Sequence, residues 1–154
     1  MKGDMNMIGL VIVTHGQLAK AFVEALEHVV GPRENIRAIC IYPQDNMDKQ
    51  RENILKTVEE VDSGEGVILL TDLFGGTPSN LAISALGIKP VEVIAGINLP
   101  MLVRLARLKE GTPLKEAVAQ GQEAGRKYIH AASTLLEGNI IEPVTADHVT
   151  HSAG

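Results

Sequence analysis

The chain has 154 residues, 45% of them apolar, 21% charged and only 3% aromatic, which suits one packed domain able to bury roughly 68–70% of the surface its unfolded chain exposes. That composition excludes a disordered chain, argues against a second catalytic domain, and, with two Phe, two Tyr and no Trp, requires an aliphatic core. Lys and Arg number 14 against 19 Asp and Glu, a formal net charge of −5, which argues against a nucleic-acid binder, a class that usually shows a basic stripe.

Short apolar runs alternate with longer amphipathic ones. Residues 1–6 read as a loose leader. Ile8 to Val13 is a continuous apolar run, the mark of a strand covered on both faces. It is too short for a signal-peptide core. No stretch approaches the ~18–20 apolar residues of a membrane span. Gln17 to Val30 carries Leu18, Phe22, Ala25, Leu26 and Val29 at helical spacing, and Gly31-Pro32 ends it. Ile36 to Ile41 is a second strand and Met47 to Val61 a second helix, with Ile54, Leu55, Val58 and Val61 inward. Val67 to Thr71 is a third strand. Thr77 and Pro78 read as N-cap and first helical residue of a helix to about Leu86.

Val91 to Ala95 is a fourth strand, and Asn98-Leu-Pro100 opens a helix to about Leu108. Thr112-Pro113 repeats the cap-plus-proline signal, and one long helix is predicted from there to about Leu136. The folded domain is expected over residues 7–133, with a tail over 134–154. The lone cysteine, Cys40, cannot pair within the chain. With no targeting signal apparent, a reducing, cytoplasmic compartment is expected.

Mainly apolar strands that alternate with helices predict a doubly wound, mainly parallel α/β sheet with helices on both faces. In the order 2-1-3-4 the ligand crevice falls between the carboxyl ends of the first and third strands. Thr14-His15-Gly16 follows the first, and Asp72-Leu73-Phe74-Gly75-Gly76-Thr77-Pro78-Ser79-Asn80 follows the third. A neutral imidazole is a good nucleophile near pH 7. A carboxylate on one ring nitrogen fixes the tautomer and leaves the other bare. His15 and Asp72 are therefore the candidate catalytic residues. Gly75, Gly76 and Thr77 offer backbone N–H groups to a phosphate, and Thr77 or Ser79 can add a hydroxyl. No Lys or Arg occurs between Lys56 and Lys89, so a phosphate here would rest on neutral donors.

Each residue alone has a plainer reading: His15 as a loop hydrogen-bonder, Asp72 as a turn cap, Gly-Gly-Thr-Pro as a turn and helix start. The pattern is neither a Walker loop, which needs a Lys, nor a dinucleotide fingerprint. His28 and His130 read as solvated residues on helices. His148 and His151 could hold a metal only from an ordered tail, and no metal is expected. Cys40 reads as an inert core thiol. Leu73 and Phe74, apolar in a loop, and Met101, after the fourth strand, are the candidate docking residues.

Three segments in order, Ile12-Val-Thr-His-Gly16, Thr71-Asp-Leu-Phe-Gly-Gly-Thr-Pro-Ser-Asn80 and Ile94-Ala-Gly-Ile-Asn-Leu-Pro-Met-Leu102, resemble the enzyme IIA component of the mannose family of the bacterial sugar phosphotransferase system. The resemblance covers about Met7 to Ser133. It implies a doubly wound homodimer, in many members with an antiparallel edge strand exchanged between subunits. It implies a phosphocarrier in which His15 accepts a phosphoryl group from the phosphohistidine of HPr and passes it to an enzyme IIB component. That component serves a membrane permease, and sugar specificity lies outside the IIA. Asp72 would hold the ring nitrogen that is not phosphorylated. No cofactor is implied. With about 20 residues beyond the fold, a stand-alone IIA is expected rather than one fused to IIB. Two other readings use the same His15: a regulator that reports its phosphorylation state by partner binding, and a module that binds a phosphorylated metabolite.

Overall fold

The computed structural model describes residues 6–88 and 90–137. Four strands form one sheet: β1 (Gly9–His15), β2 (Ile36–Ile41), β3 (Val67–Thr71) and β4 (Val91–Ala95). All three neighbouring pairs are parallel, and the order is β2-β1-β3-β4, as the sequence predicts. No antiparallel edge strand occurs among the described residues. The helices are α1 (Leu18–Val30), α2 (Met47–Val61), α3 (Thr77–Ile83), α4 (Leu99–Ala106), α5 (Leu114–Lys127) and α6 (Ala132–Leu136). No helix among the described residues is long and apolar enough to cross a membrane.

The side-chain period of two sorts the central strands between two aliphatic layers. Leu10, Ile12, Ile68 and Leu70 face Ala19, Leu26, Leu102, Leu105 and Ala117, which come from α1, α4 and α5. Val11, Val13, Val67 and Leu69 face Ile54, Val58, Leu81 and Ala82, which come from α2 and α3. Both faces of β1 and β3 are thus covered, which is why these strands read as unbroken apolar runs. Each fully buried Leu or Ile contributes roughly 1.5–3 kcal/mol, so these layers fix the strand ends that carry the site.

Several boundaries differ from the sequence reading: β1 runs on through Thr14 and His15, which the sequence places after the strand. The N-cap of α3 is Gly76, not Thr77, and it makes no side-chain cap bond. The helix stops at Ile83 rather than Leu86, where the Ser84 hydroxyl donates to the Leu81 carbonyl at 2.6 Å. Asn98 does cap α4, its Oδ1 accepting from the Met101 N–H at 3.1 Å, but the helix ends at Ala106 rather than Leu108. The long terminal helix is two helices. Pro113, not Thr112, caps α5, and the Thr112 hydroxyl donates to the Lys109 carbonyl instead. The chain leaves the helix after Lys127, and α6 buries no residue. Beyond Gly125 the helix has little to pack against: Ile129 is exposed, and His130 lies in the connection rather than on a helix.

Candidate functional site

β1 and β3 are neighbours, so their carboxyl ends lie side by side. His15 is the last residue of β1, and Asp72 follows the last residue of β3. The His15 Nδ1 lies 2.8 Å from Asp72 Oδ2. The His15 backbone N–H donates to the same oxygen at 3.0 Å, and the Leu73 N–H donates to Oδ1 at 3.1 Å. The two predicted catalytic residues are therefore in contact. The imidazole side chain is 51% exposed and the carboxylate 11%.

Burial alone pushes the Asp72 carboxyl up. The hydrogen bonds from the His15 ring and backbone, with the attraction of the imidazole's charge, outweigh it and hold the carboxyl below its ordinary value. Asp72 is thus an ionised acceptor near neutral pH. A carboxylate has no proton to give, so the hydrogen in this contact sits on Nδ1. In its neutral form the ring therefore carries its lone pair on Nε2, as attack requires.

The other edge of the ring lies against Gly76. A Cβ built there would stand 2.7 Å from His15 Cε1 and 2.9 Å from Nε2. Real Cβ contacts do not come that close, so a glycine is required for this approach. Gly75 has φ +90°, which lets the loop turn ahead of α3. Among the described residues, no hydrogen bond engages the N–H of Gly76 or Thr77. Thr77 is exposed at the first position of α3.

Ser79 and Gly75 are used differently from the sequence expectation. Ser79 is fully buried. Its Oγ accepts from the Gly75 N–H at 3.1 Å and donates to the Gly76 carbonyl at 3.0 Å. Neither the Ser79 hydroxyl nor the Gly75 N–H is therefore left for a phosphate. Met101 is 4% exposed and lies in the core with α1, α4 and α5, so it presents no surface to a docking partner. Leu73 at 52% and Phe74 at 65% do stand out from the loop beside the site.

One positioning residue escaped the sequence reading. Thr14 is fully buried, and its Oγ1 accepts from the Ala19 N–H at 2.6 Å. It ties the start of α1 to the strand residue next to His15. The signal is a hydroxyl residue next to last in a buried strand, just before a helix. Thr71 is also buried, but its hydroxyl has no partner among the described residues. Its carbonyl accepts from the N–H groups of Gly96 and Ile97, anchoring the β4–α4 loop. No group of three or more His, Cys, Asp or Glu that could hold a metal occurs among the described residues. His148 and His151 lie outside them.

Residues 9–122 match a family model described as PTS system fructose IIA component (EIIA-man). The chain is 35% identical over 126 residues to the PTS system mannose-specific EIIAB component of Escherichia coli K12, a match covering 80% of this chain but 39% of that protein. It is 34% identical over 134 residues to the PTS system sorbose-specific EIIA component of Lacticaseibacillus casei, covering 86% of this chain and 96% of that one. A solved structure of phosphotransferase system component EIIA from Streptococcus agalactiae superposes with a TM-score of 0.74 at 27% identity. That superposition covers 83% of this chain and 99% of the other.

Proposed function

The chain belongs to the EIIA-man family of phosphotransferase-system IIA components, and on that premise we propose that His15 is a phosphocarrier, charged by phospho-HPr and discharged to an enzyme IIB histidine. The observation that carries this reading is the ring of His15, held at Nδ1 by Asp72 at 2.8 Å with its Nε2 edge beside Gly76 and half the side chain open to solvent. In the forward step the Nε2 lone pair forms the new N–P bond. The donor's N–P bond breaks, and its electron pair stays on the donor nitrogen. Each ring keeps the proton on its other nitrogen, so no proton changes hands and no redox partner or metal is called for. The His15 ring gains positive charge on phosphorylation, and the Asp72 carboxylate stabilises it. The N–H groups of Gly76 and Thr77 are the donors available to the phosphoryl oxygens, whose charge is spread in the transition state.

Leu73 and Phe74 form the apolar rim on which donor and acceptor proteins dock in turn. A homodimer is supported by β4, whose outer edge has no partner strand among the described residues, and by the exposed Ile83, Leu86 and Ile88. Through enzyme IIB the carrier serves a membrane permease. The test is labelling with phosphoenolpyruvate, enzyme I and HPr. An acid-labile, base-stable label is expected on the wild type and none on His15→Ala. Label retained by that variant overturns the assignment.

A further inference from the structure

We infer that Ser79 is a positioning residue for His15, acting through Gly76 from beneath the loop and not by touching the phosphoryl group. The inference rests on the phosphocarrier reading of His15. It names the part that holds that site in shape. Ser79 lies on α3, one of the helices that pack against the Val11 and Val13 face of the sheet, and it is fully buried. Its hydroxyl accepts from Gly75 and donates to the carbonyl of Gly76. A second bond to that carbonyl comes from the Asn80 N–H at 3.1 Å. Gly75 and Gly76 are the two most permissive residues of the loop. Each is tied at one backbone group to the same side-chain oxygen.

What the hydroxyl fixes is the surface the imidazole rests on. The Gly76 backbone meets His15 so closely that a methyl group would not fit between them. Asp72 grips the ring from the Nδ1 side, and Gly76 limits it from the Nε2 and Cε1 side. With one grip alone the ring, half open to solvent, can still turn about its hydrogen bond. The second contact sets where the Nε2 lone pair points. A group aligned for in-line attack loses about 10²-fold for a misplacement of about 1 Å. Loosening Gly76 is therefore felt at Nε2, although Ser79 itself never reaches it.

The experiment compares wild type, Ser79→Ala and Ser79→Cys in single-turnover labelling from phospho-HPr, alongside imidazole NMR signals of His15. Ser79→Ala is expected to lower the rate constant by about tenfold or more. Its labelling amplitude and the donor concentration for half-maximal rate should stay unchanged, because the docking rim is untouched. A loss of folded protein would instead lower the amplitude. Ser79→Cys, of similar size but a weak donor and acceptor, should fall between the two and serves if the alanine variant does not fold. In the NMR arm, Ser79→Ala should shift or broaden the Nε2-side ring signals while the Nδ1 proton persists. A wild-type rate constant with unchanged ring signals in Ser79→Ala overturns the inference and leaves the phosphocarrier reading standing. No label on wild-type His15 overturns the phosphocarrier reading, and the ring signals then decide the positioning role separately.

Discussion

Replacing Gly76 by alanine sets a methyl group against the His15 ring. The backbone there has φ −96° and ψ 171°, an extended conformation open to any residue, so the substitution brings no backbone strain of its own. All of its effect comes from contact. The new Cβ would stand 2.7 Å from Cε1 and 2.9 Å from Nε2. Ordinary contact begins near 3.4 Å, so the ring must retreat by about 0.7 Å at Cε1 and about 0.5 Å at Nε2. The ring is half exposed and can swing toward solvent. The stability change should therefore stay within about 1 kcal/mol. The retreat strains the 2.8 Å bond to Asp72 and turns Nε2 off line. Transfer should slow by about tenfold to 10²-fold. The assay is single-turnover labelling of His15 from phospho-HPr, paired with urea unfolding. Gly75→Ala is the control: its Cβ meets nothing within 4 Å, but φ is +90°. It should lose about 1–2 kcal/mol of stability through the backbone alone. A Gly76→Ala protein that labels at the wild-type rate would refute the steric reasoning.

Asp72→Asn should keep the fold and slow labelling at least about tenfold, because the charged form of the ring loses its counter-charge. The folded Asp72 carboxyl is held below its ordinary value, so its contribution to stability is full above about pH 4 and is lost as pH falls through the depressed value. The stability gap between wild type and Asp72→Asn, read by urea unfolding, should accordingly close in acid. Thr14→Val and Thr71→Val make a contrasting pair. The first orphans the Ala19 N–H and should cost about 1–3 kcal/mol. The second removes a buried hydroxyl that has no partner among the described residues, and should be neutral or stabilising in the same denaturation assay. Phe74→Ala should leave stability within about 0.5 kcal/mol while raising the phospho-HPr concentration for half-maximal labelling. An unchanged concentration would remove Phe74 from the docking rim.

The sheet was legible because β1 and β3 are buried on both faces and so carry no polar interruption from Leu10 to Val13 or Val67 to Leu70. Right-handed crossovers leave few strand orders, and in the order 2-1-3-4, which the sheet adopts, the meeting of His15 and Asp72 follows from topology. What the sequence could not show was direction. Ser79 has the residue type of a phosphate donor, but its hydroxyl turns back to Gly75 and Gly76, a local side-chain-to-backbone habit that residue type alone does not reveal. Met101 follows a strand end as a rim residue would, but it sits three positions into α4 on the side that meets Gly125. The break after Lys127 carries no Pro or Gly. It arises where the apolar face runs out of partners, a tertiary fact with no local marker.

The absence of Lys and Arg from the long stretch between Lys56 and Lys89 bears on what the site can do. In the proposed relay, donor, carrier and acceptor all hold the phosphoryl group on an imidazole nitrogen, so the bonds made and broken are alike. A relay of this kind works in both directions only if no station holds the group much more tightly than its neighbours. Each 1.4 kcal/mol of extra ground-state binding at His15 would slow the onward step about tenfold. A lysine on the phosphoryl oxygens would supply such a trap. Backbone N–H donors fixed by the loop act on the charge without forming an ion pair, and they need no reorganisation as the group arrives. The single strong electrostatic contact is placed instead on the ring, at Nδ1. There Asp72 offsets the charge that the imidazole takes on as the N–P bond forms, in the transition state as well as in the phosphorylated ring, and does so without an ion pair to the phosphoryl oxygens. The same division explains why the loop needs a buried clamp. Neutral donors are effective only where they are held, and in Gly75-Gly76 the side-chain clamp is the hydroxyl of Ser79, beside the backbone bond from Asn80.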